Sequence, residues 1–171
     1  MTHLLTRHQA PVALHRAALA GLGGAVAIAL LGLVAVGTGW PWIAAPLGAS
    51  CVLVFSLPAA PVSQPVNVVA GHVLSAAVGL AVATVLPVTW WSVALAVGLA
   101  IAAMAVLRVT HPPAGANPIV VMTVGAGWAY LVAPVLVGAL VVVAVGVVHH
   151  RLASRGSAVY PLPAPRGATR G

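Results

Sequence analysis

His111-Pro112-Pro113-Ala114-Gly115-Ala116-Asn117-Pro118 interrupts a chain that is otherwise nearly unbroken Ala, Val, Leu and Gly. Three prolines and a glycine in eight residues work against an α-helix, because each Pro lacks an N–H and pushes the residue before it out of the α region. The run nevertheless lies between two apolar segments. It predicts an extended entry from Arg108 to Ala116, then a short helix from Pro118 to about Gly125. Asn117 serves as its N-cap and Pro118 as its first residue.

A second interruption stands upstream, at Pro46 and Gly48, where Ser50 reads as the N-cap of a short helix from Cys51 to Leu57. Shifting the sequence by 67 residues lays Pro46, Gly48, Ala49 and Ser50 on Pro113, Gly115, Ala116 and Asn117. The same shift lays Gly71 on Gly138 and Ala77-Val78-Gly79 on Ala144-Val145-Gly146. Two repeats follow, residues 17–83 and 84–150, each a long helix, a broken segment and another long helix. The apolar runs Ala17–Gly39, Val66–Leu86, Ser92–Leu107 and Leu131–Val148 supply four spans of a hydrocarbon core about 30 Å thick. Trp40-Pro41-Trp42, Trp90-Trp91 and Trp128 with Tyr130 mark interfaces. The expected fold is all-α, a polytopic bundle of four long transmembrane helices and two short segments that either cross or re-enter. Residues 1–16 form a basic leader, 17–150 the membrane domain and 151–171 a disordered basic tail.

Composition sets the class. The chain is 62% hydrophobic and 4% charged, with no Asp or Glu, a balance foreign to soluble domains. Its charges are arginines: Arg7 and Arg16 before the first run, Arg151, Arg155, Arg166 and Arg170 after the last, and Arg108 between. That is the positive-inside pattern, and it places both termini in the cytoplasm of a multi-pass plasma or inner membrane protein rather than on nucleic acid. Without carboxylates there is no Ser-His-Asp triad, no glycosidase pair and no hard-cation cage. An enzyme is not expected, nor a metal or cofactor. Cys51 is read as a small buried residue.

The signature resembles that of the HPP family of integral membrane proteins, named for the His111-Pro112-Pro113 triplet and usually continuing as Ala-Gly-Ala. The similarity runs back through Pro46-Leu47-Gly48-Ala49-Ser50, Pro61-Val62-Ser63-Gln64-Pro65-Val66-Asn67 and Gly71-His72, and forward to Pro134 and Gly138. It covers most of residues 41–148. The resemblance implies a transmembrane protein, and for some members nitrite transport; Val66 stands where many relatives carry a basic residue.

Broken segments at matched positions of two halves point to a transporter's binding site, since non-helical backbone at membrane depth survives only against protein or a cavity. Short-helix N-termini with Arg108, His111 and His72 offer only positive and donor chemistry, which suits a small anion. The candidate path is His111, Pro112, Pro113, Gly115, Asn117, His72, Arg108, Gly48, Ser50, Asn67 and Gln64. Gly48 and Gly115 are expected to admit no side chain. Histidines in the path make faster uptake in mildly acidic medium an expectation.

Plainer readings compete. The broken segments could be kinks, His72 a packing residue, His111 a cap beside its prolines, Arg108 a snorkelling anchor, and His149-His150 an exposed cluster at a membrane end. Two other functions stand beside anion transport: a haem-binding or redox subunit with His72 and His111 as axial ligands, and a structural partner packing through Ala17, Gly21, Gly24 and Ala25. The bilayer is the expected partner, with a homo-oligomer as a further one.

Overall fold

The computed structural model describes residues 5–39, 42, 44–153 and 160–163. All regular elements among them are helical. Helix α1 is Leu14–Thr38, α2 Ala45–Ser56, α3 Pro65–Val85, α4 Trp90–Val106, α5 Asn117–Thr123 and α6 Val137–Ala153. Short 3₁₀ turns at Pro61–Ser63 and Pro112–Ala116 precede α3 and α5, and a π-helical turn at Leu131–Leu136 precedes α6.

Local chemistry sets most of these ends. Gly39 closes α1 in the left-handed region (φ 70°), its N–H bonded to the Ala35 carbonyl. Pro46 and Pro65 sit in the first turns of α2 and α3, where a missing N–H costs nothing. Thr89 and Ser92 form a reciprocal capping box at the start of α4. Gly125, at φ 63°, follows α5.

Side-chain contacts give each element its direction. Gly24 meets Cys51 and Gly23 meets Phe55, so α1 and α2 are antiparallel. Gly71 lies against Met104, which makes α3 and α4 a hairpin, and Gly79 lies against Pro118 and Val121, so α5 runs with α3. Leu47 meets Gly138 and Val54 meets Gly146, so α6 runs with α2. The six elements thus alternate up and down. Leu14, Ser56, Ala153 and the segment after α4 share one end of the bundle.

Three helical stretches, Leu14–Thr38, Pro65–Val85 and Leu131–Ala153, are long and apolar enough to cross a membrane. Helix α4, 17 residues, reaches about 26 Å at 1.5 Å per residue, short of the roughly 30 Å core. The last stretch bends at Ala133, whose φ of −131° and ψ of 116° are not helical, ahead of Pro134. Large apolar side chains point outward all along α1 and α4, among them Leu22, Leu33, Leu99 and Ile101. In water such a surface would be a liability; against lipid it is the ordinary exterior.

Several expectations are corrected. Ser50 caps nothing: α2 begins five residues earlier, and the Ser50 hydroxyl lies buried in mid-helix, 3.0 Å from the Pro46 carbonyl. The signature is extended only as far as His111 (φ −135°, ψ 102°) and then winds into a 3₁₀ turn. Proline permits this, because the turn's first residues need no N–H partner. Asn117 is itself helical and makes no cap bond. Gly48 and Gly115 have room, since a Cβ on either would meet nothing within 4 Å. At the other end of the chain, α6 runs on to Ala153, and beyond it Tyr160 is buried beside His150 and Gly146. Trp40 and Pro41, and most of the expected tail, lie outside the described residues.

Close packing falls on other glycines. A Cβ at Gly79 would lie 2.6 Å from Pro118 Cα and 2.7 Å from Val121 Cγ2, and backbone cannot step aside. Gly79→Ala should therefore lower stability by about 1–3 kcal/mol. Gly48→Ala, in open space inside a helix, should be neutral or stabilising by up to about 1 kcal/mol. Unfolding of the two purified variants in a mild detergent, side by side, checks the contrast.

Candidate functional site

A helical stripe of small and polar residues runs along α3: Val68, Gly71, His72, Ser75 and Gly79 are all buried. Their spacing of three and four puts them on one face. That face receives the signature segment. Ser75 Oγ donates to the Ala114 carbonyl at 2.6 Å, and Asn67 Nδ2 donates to the Thr110 carbonyl at 3.0 Å. Gly71 leaves the space that His111 fills, since a Cβ there would lie 2.8 Å from His111 Cβ and 3.0 Å from the Val109 carbonyl oxygen.

These contacts bring four predicted residues together. Ser50 Oγ lies 2.7 Å from His72 Nε2 and 2.8 Å from His111 Nε2. The two imidazoles stand edge to face, centroids 5.1 Å apart. Asn117 Nδ2 is 2.9 Å from His72 Nδ1 and 3.0 Å from the His72 carbonyl oxygen, and His111 Nδ1 is 2.7 Å from the Val62 carbonyl oxygen. Ser50, His72, His111 and Asn117 are all buried.

The proton positions follow from the partners. A carbonyl only accepts, so His111 Nδ1 carries a hydrogen and donates it to Val62. The Asn117 nitrogen that faces the His72 carbonyl is the amide NH₂, and its second hydrogen points to His72 Nδ1, which must accept. His72 therefore carries its hydrogen on Nε2 and donates to Ser50 Oγ. In the neutral cluster Ser50 passes its own hydrogen to His111 Nε2. The result is one directed chain, Asn117 to His72 to Ser50 to His111 to the Val62 carbonyl, with no imidazole nitrogen idle.

The remaining predicted residues stand apart from this cluster. Arg108 is exposed and holds a positive φ of 59° just after α4. Gln64 ties down its own loop, donating to the Pro58 and Ala60 carbonyls and accepting from the Leu162 N–H. Pro112 is exposed and Pro113 half-buried at the start of the 3₁₀ turn, while Gly48 and Gly115 touch no imidazole partner. Asn67 supports the segment from one side. Ser75 was not among the predicted residues, although its place three residues after His72 put it on the same helical face. The Val62 carbonyl has no counterpart in side-chain pattern at all. Haem ligation by His72 and His111 does not fit, because a macrocycle would have to lie between rings that touch and whose nitrogens already have partners.

Comparison with known proteins gives a family and no solved fold. The sequence model described as HPP, transmembrane region, matches residues 9–160. A Dictyostelium discoideum protein named as a transmembrane protein is 37% identical over 122 residues, covering 67% of this chain and 42% of that protein. A second protein of that organism, also named as a transmembrane protein, is 40% identical over 100 residues, 54% of this chain and 32% of its own length. The chain thus spans less than half the length of these relatives. No solved structure matches it.

Because Ser50 and Asn117 hold the same imidazole from its two sides, their removal should be coupled. Ser50→Ala, which orphans one nitrogen on each imidazole, and Asn117→Leu, which orphans one on His72, should each cost about 1–3 kcal/mol. The double variant should cost less than the sum, since a freed His72 is lost once. Chemical unfolding of the four proteins in one detergent measures the difference; strict additivity would mean the two contacts are independent.

Proposed function

The chain belongs to the HPP transmembrane family, and on that footing we propose that it carries a small inorganic anion across the membrane, as a transporter or channel. The observation that carries this reading is the buried Ser50–His72–His111–Asn117 cluster in a chain without Asp or Glu. Ionisable side chains at membrane depth are costly and usually serve a function. Imidazole and amide hydrogens that meet no acid can greet an anion, and no Asp or Glu supplies a negative charge to a cation. Nitrite is the substrate that the family resemblance implies; the residues themselves specify only a small anion. Catalysis has no part in this reading.

Reading the two halves as inverted repeats supports it. The 67-residue shift carries Gly79 to Gly146 and Val54 to Val121, and the fold pairs Gly79 with Val121 and Gly146 with Val54. Each half thus lends its long helix to the short helix of the other, as a pseudo-two-fold axis requires. The shift also relates Ser50 to Asn117, the two residues that flank the His72 ring. A polar centre at the interface of two halves with opposite direction is the arrangement that alternating access uses. By the arginine distribution, the end holding Leu14 and Ala153 faces the cytoplasm of the plasma or inner membrane, and Arg108 shares that end.

Two measurements test the reading. Proteoliposomes should take up nitrite in preference to chloride above the rate of empty liposomes, and Ser50→Ala should reduce that uptake at least tenfold. Uptake by the variant at the wild-type rate would leave the cluster a packing feature. For orientation, a cysteine introduced at position 108 should react with an impermeant reagent from the cytoplasmic side only. Labelling from outside would contradict the placement of Arg108 at the cytoplasmic end.

A further inference from the structure

The directed hydrogen-bond chain has one place where an extra proton fits. Adding a proton to His111 Nε2 turns that nitrogen from acceptor to donor, so Ser50 Oγ receives N–H bonds from both imidazoles. A hydroxyl oxygen has two lone pairs for this and one hydrogen left to place. That hydrogen has a second acceptor in reach, the Pro46 carbonyl at 3.0 Å. The hydroxyl turns from His111 to Pro46, and each of these donors keeps a partner. Adding the proton to His72 Nδ1 instead would set an N–H against the Asn117 amide hydrogens. Asn117 cannot flip to relieve this without losing its bond to the His72 carbonyl.

The charge then needs a partner. His111 is faced by Ser50 from α2, by Gly71 and His72 from α3, by Met104 behind Gly71 from α4, and by the Val62 carbonyl. The titratable group against its ring is His72, which stays neutral. Arg108 lies three residues earlier and is exposed; Cys51, beside Ser50, is buried and packs toward α1. No Asp or Glu exists anywhere in the chain. A buried cation without a counter-charge is strongly disfavoured. We propose that His111 Nε2 is the single proton-loading atom of the site, with the Ser50 hydroxyl as its two-position switch, and that the proton crosses together with the anion as a neutral pair. The transported anion supplies the counter-charge that the protein lacks. The balance is simple: one proton from water forms one N–H bond on entry, and that bond breaks on release, with no covalent change elsewhere. The coupling rests on the anion-transport reading; the place of the proton does not.

Both halves are testable on the whole protein. Nitrogen NMR of ¹⁵N-histidine-labelled protein in lipid nanodiscs, acidified stepwise with and without sodium nitrite, reads each ring nitrogen directly. The expected result is His72 with hydrogen on Nε2 throughout, and His111 passing from hydrogen on Nδ1 alone to hydrogen on both nitrogens, at a higher pH when nitrite is present. Protonation of His72 first, or of both rings together, would overturn the assignment. In liposomes containing a pH dye, with the membrane potential clamped, an inward nitrite gradient should acidify the lumen by one proton per anion above the leak of nitrous acid into empty liposomes. His111→Gln should bring that acidification down to the empty-liposome level. Nitrite flux without proton movement would sink the coupling and spare the transport reading. Absence of flux for nitrite, nitrate, formate and chloride alike would sink both, while the NMR pattern would still decide the proton site in the wild-type protein.

Discussion

One serine hydroxyl is shared by two buried imidazoles, and most of the surrounding structure serves that sharing. Ser50 reaches both rings only if α2, α3 and the signature segment come within hydrogen-bond distance at one point. Gly71 gives up its side chain to make room for His111, Ser75 and Asn67 fasten the backbone of the signature to α3, and Asn117 and the Val62 carbonyl fix which nitrogen of each ring holds hydrogen. In a low-dielectric interior an unfilled polar group costs far more than a filled one contributes. Every imidazole nitrogen of the cluster has a partner, which is what lets two histidines sit in so apolar a chain.

The helices around it come together by fit more than by exclusion of water. Lipid tails are as apolar as Leu and Val, so burying one apolar side chain against another gains little, and close contact of backbones matters instead. Gly23 against Phe55, Gly79 against Pro118 and Val121, Gly138 against Leu47, and Gly146 against Val54 are among the points of closest approach. They join α1 to α2, α3 to α5, and α6 to α2. The polar cluster and the glycine contacts therefore share α2, α3 and α5, and a shift in either would be felt by both.

Much of this was legible from residues alone. The helical class and the apolar character followed from composition and run length; Ser50, His111 and Asn117 stood out as polar residues beside proline breaks, and His72 as a histidine inside an apolar span. Their chemistry was less legible. Ser50 and Asn117 look like caps because both precede or follow a break, and nothing local reveals that their side chains turn away from the backbone toward one ring. Gly48 and Gly115 drew attention by lying in the broken segments, yet the crowding falls on Gly71 and Gly79, inside a regular helix whose neighbours come from elsewhere in the chain. Sequence pattern reports local backbone strain well. It reports little of which helix arrives against which face, and none of the carbonyl groups, such as that of Val62, that complete a buried network.

The claim at the centre is that the anion and this cluster meet. Solid-state NMR on the protein in lipid bilayers, with ¹⁵N-nitrite and ¹³C-labelled histidine rings, measures that meeting without reliance on flux. The expected result is a dipolar contact between nitrite and the His111 ring that disappears in Ser50→Ala protein. A contact confined to His149 and His150 at the end of the bundle, or none to any histidine, would contradict it.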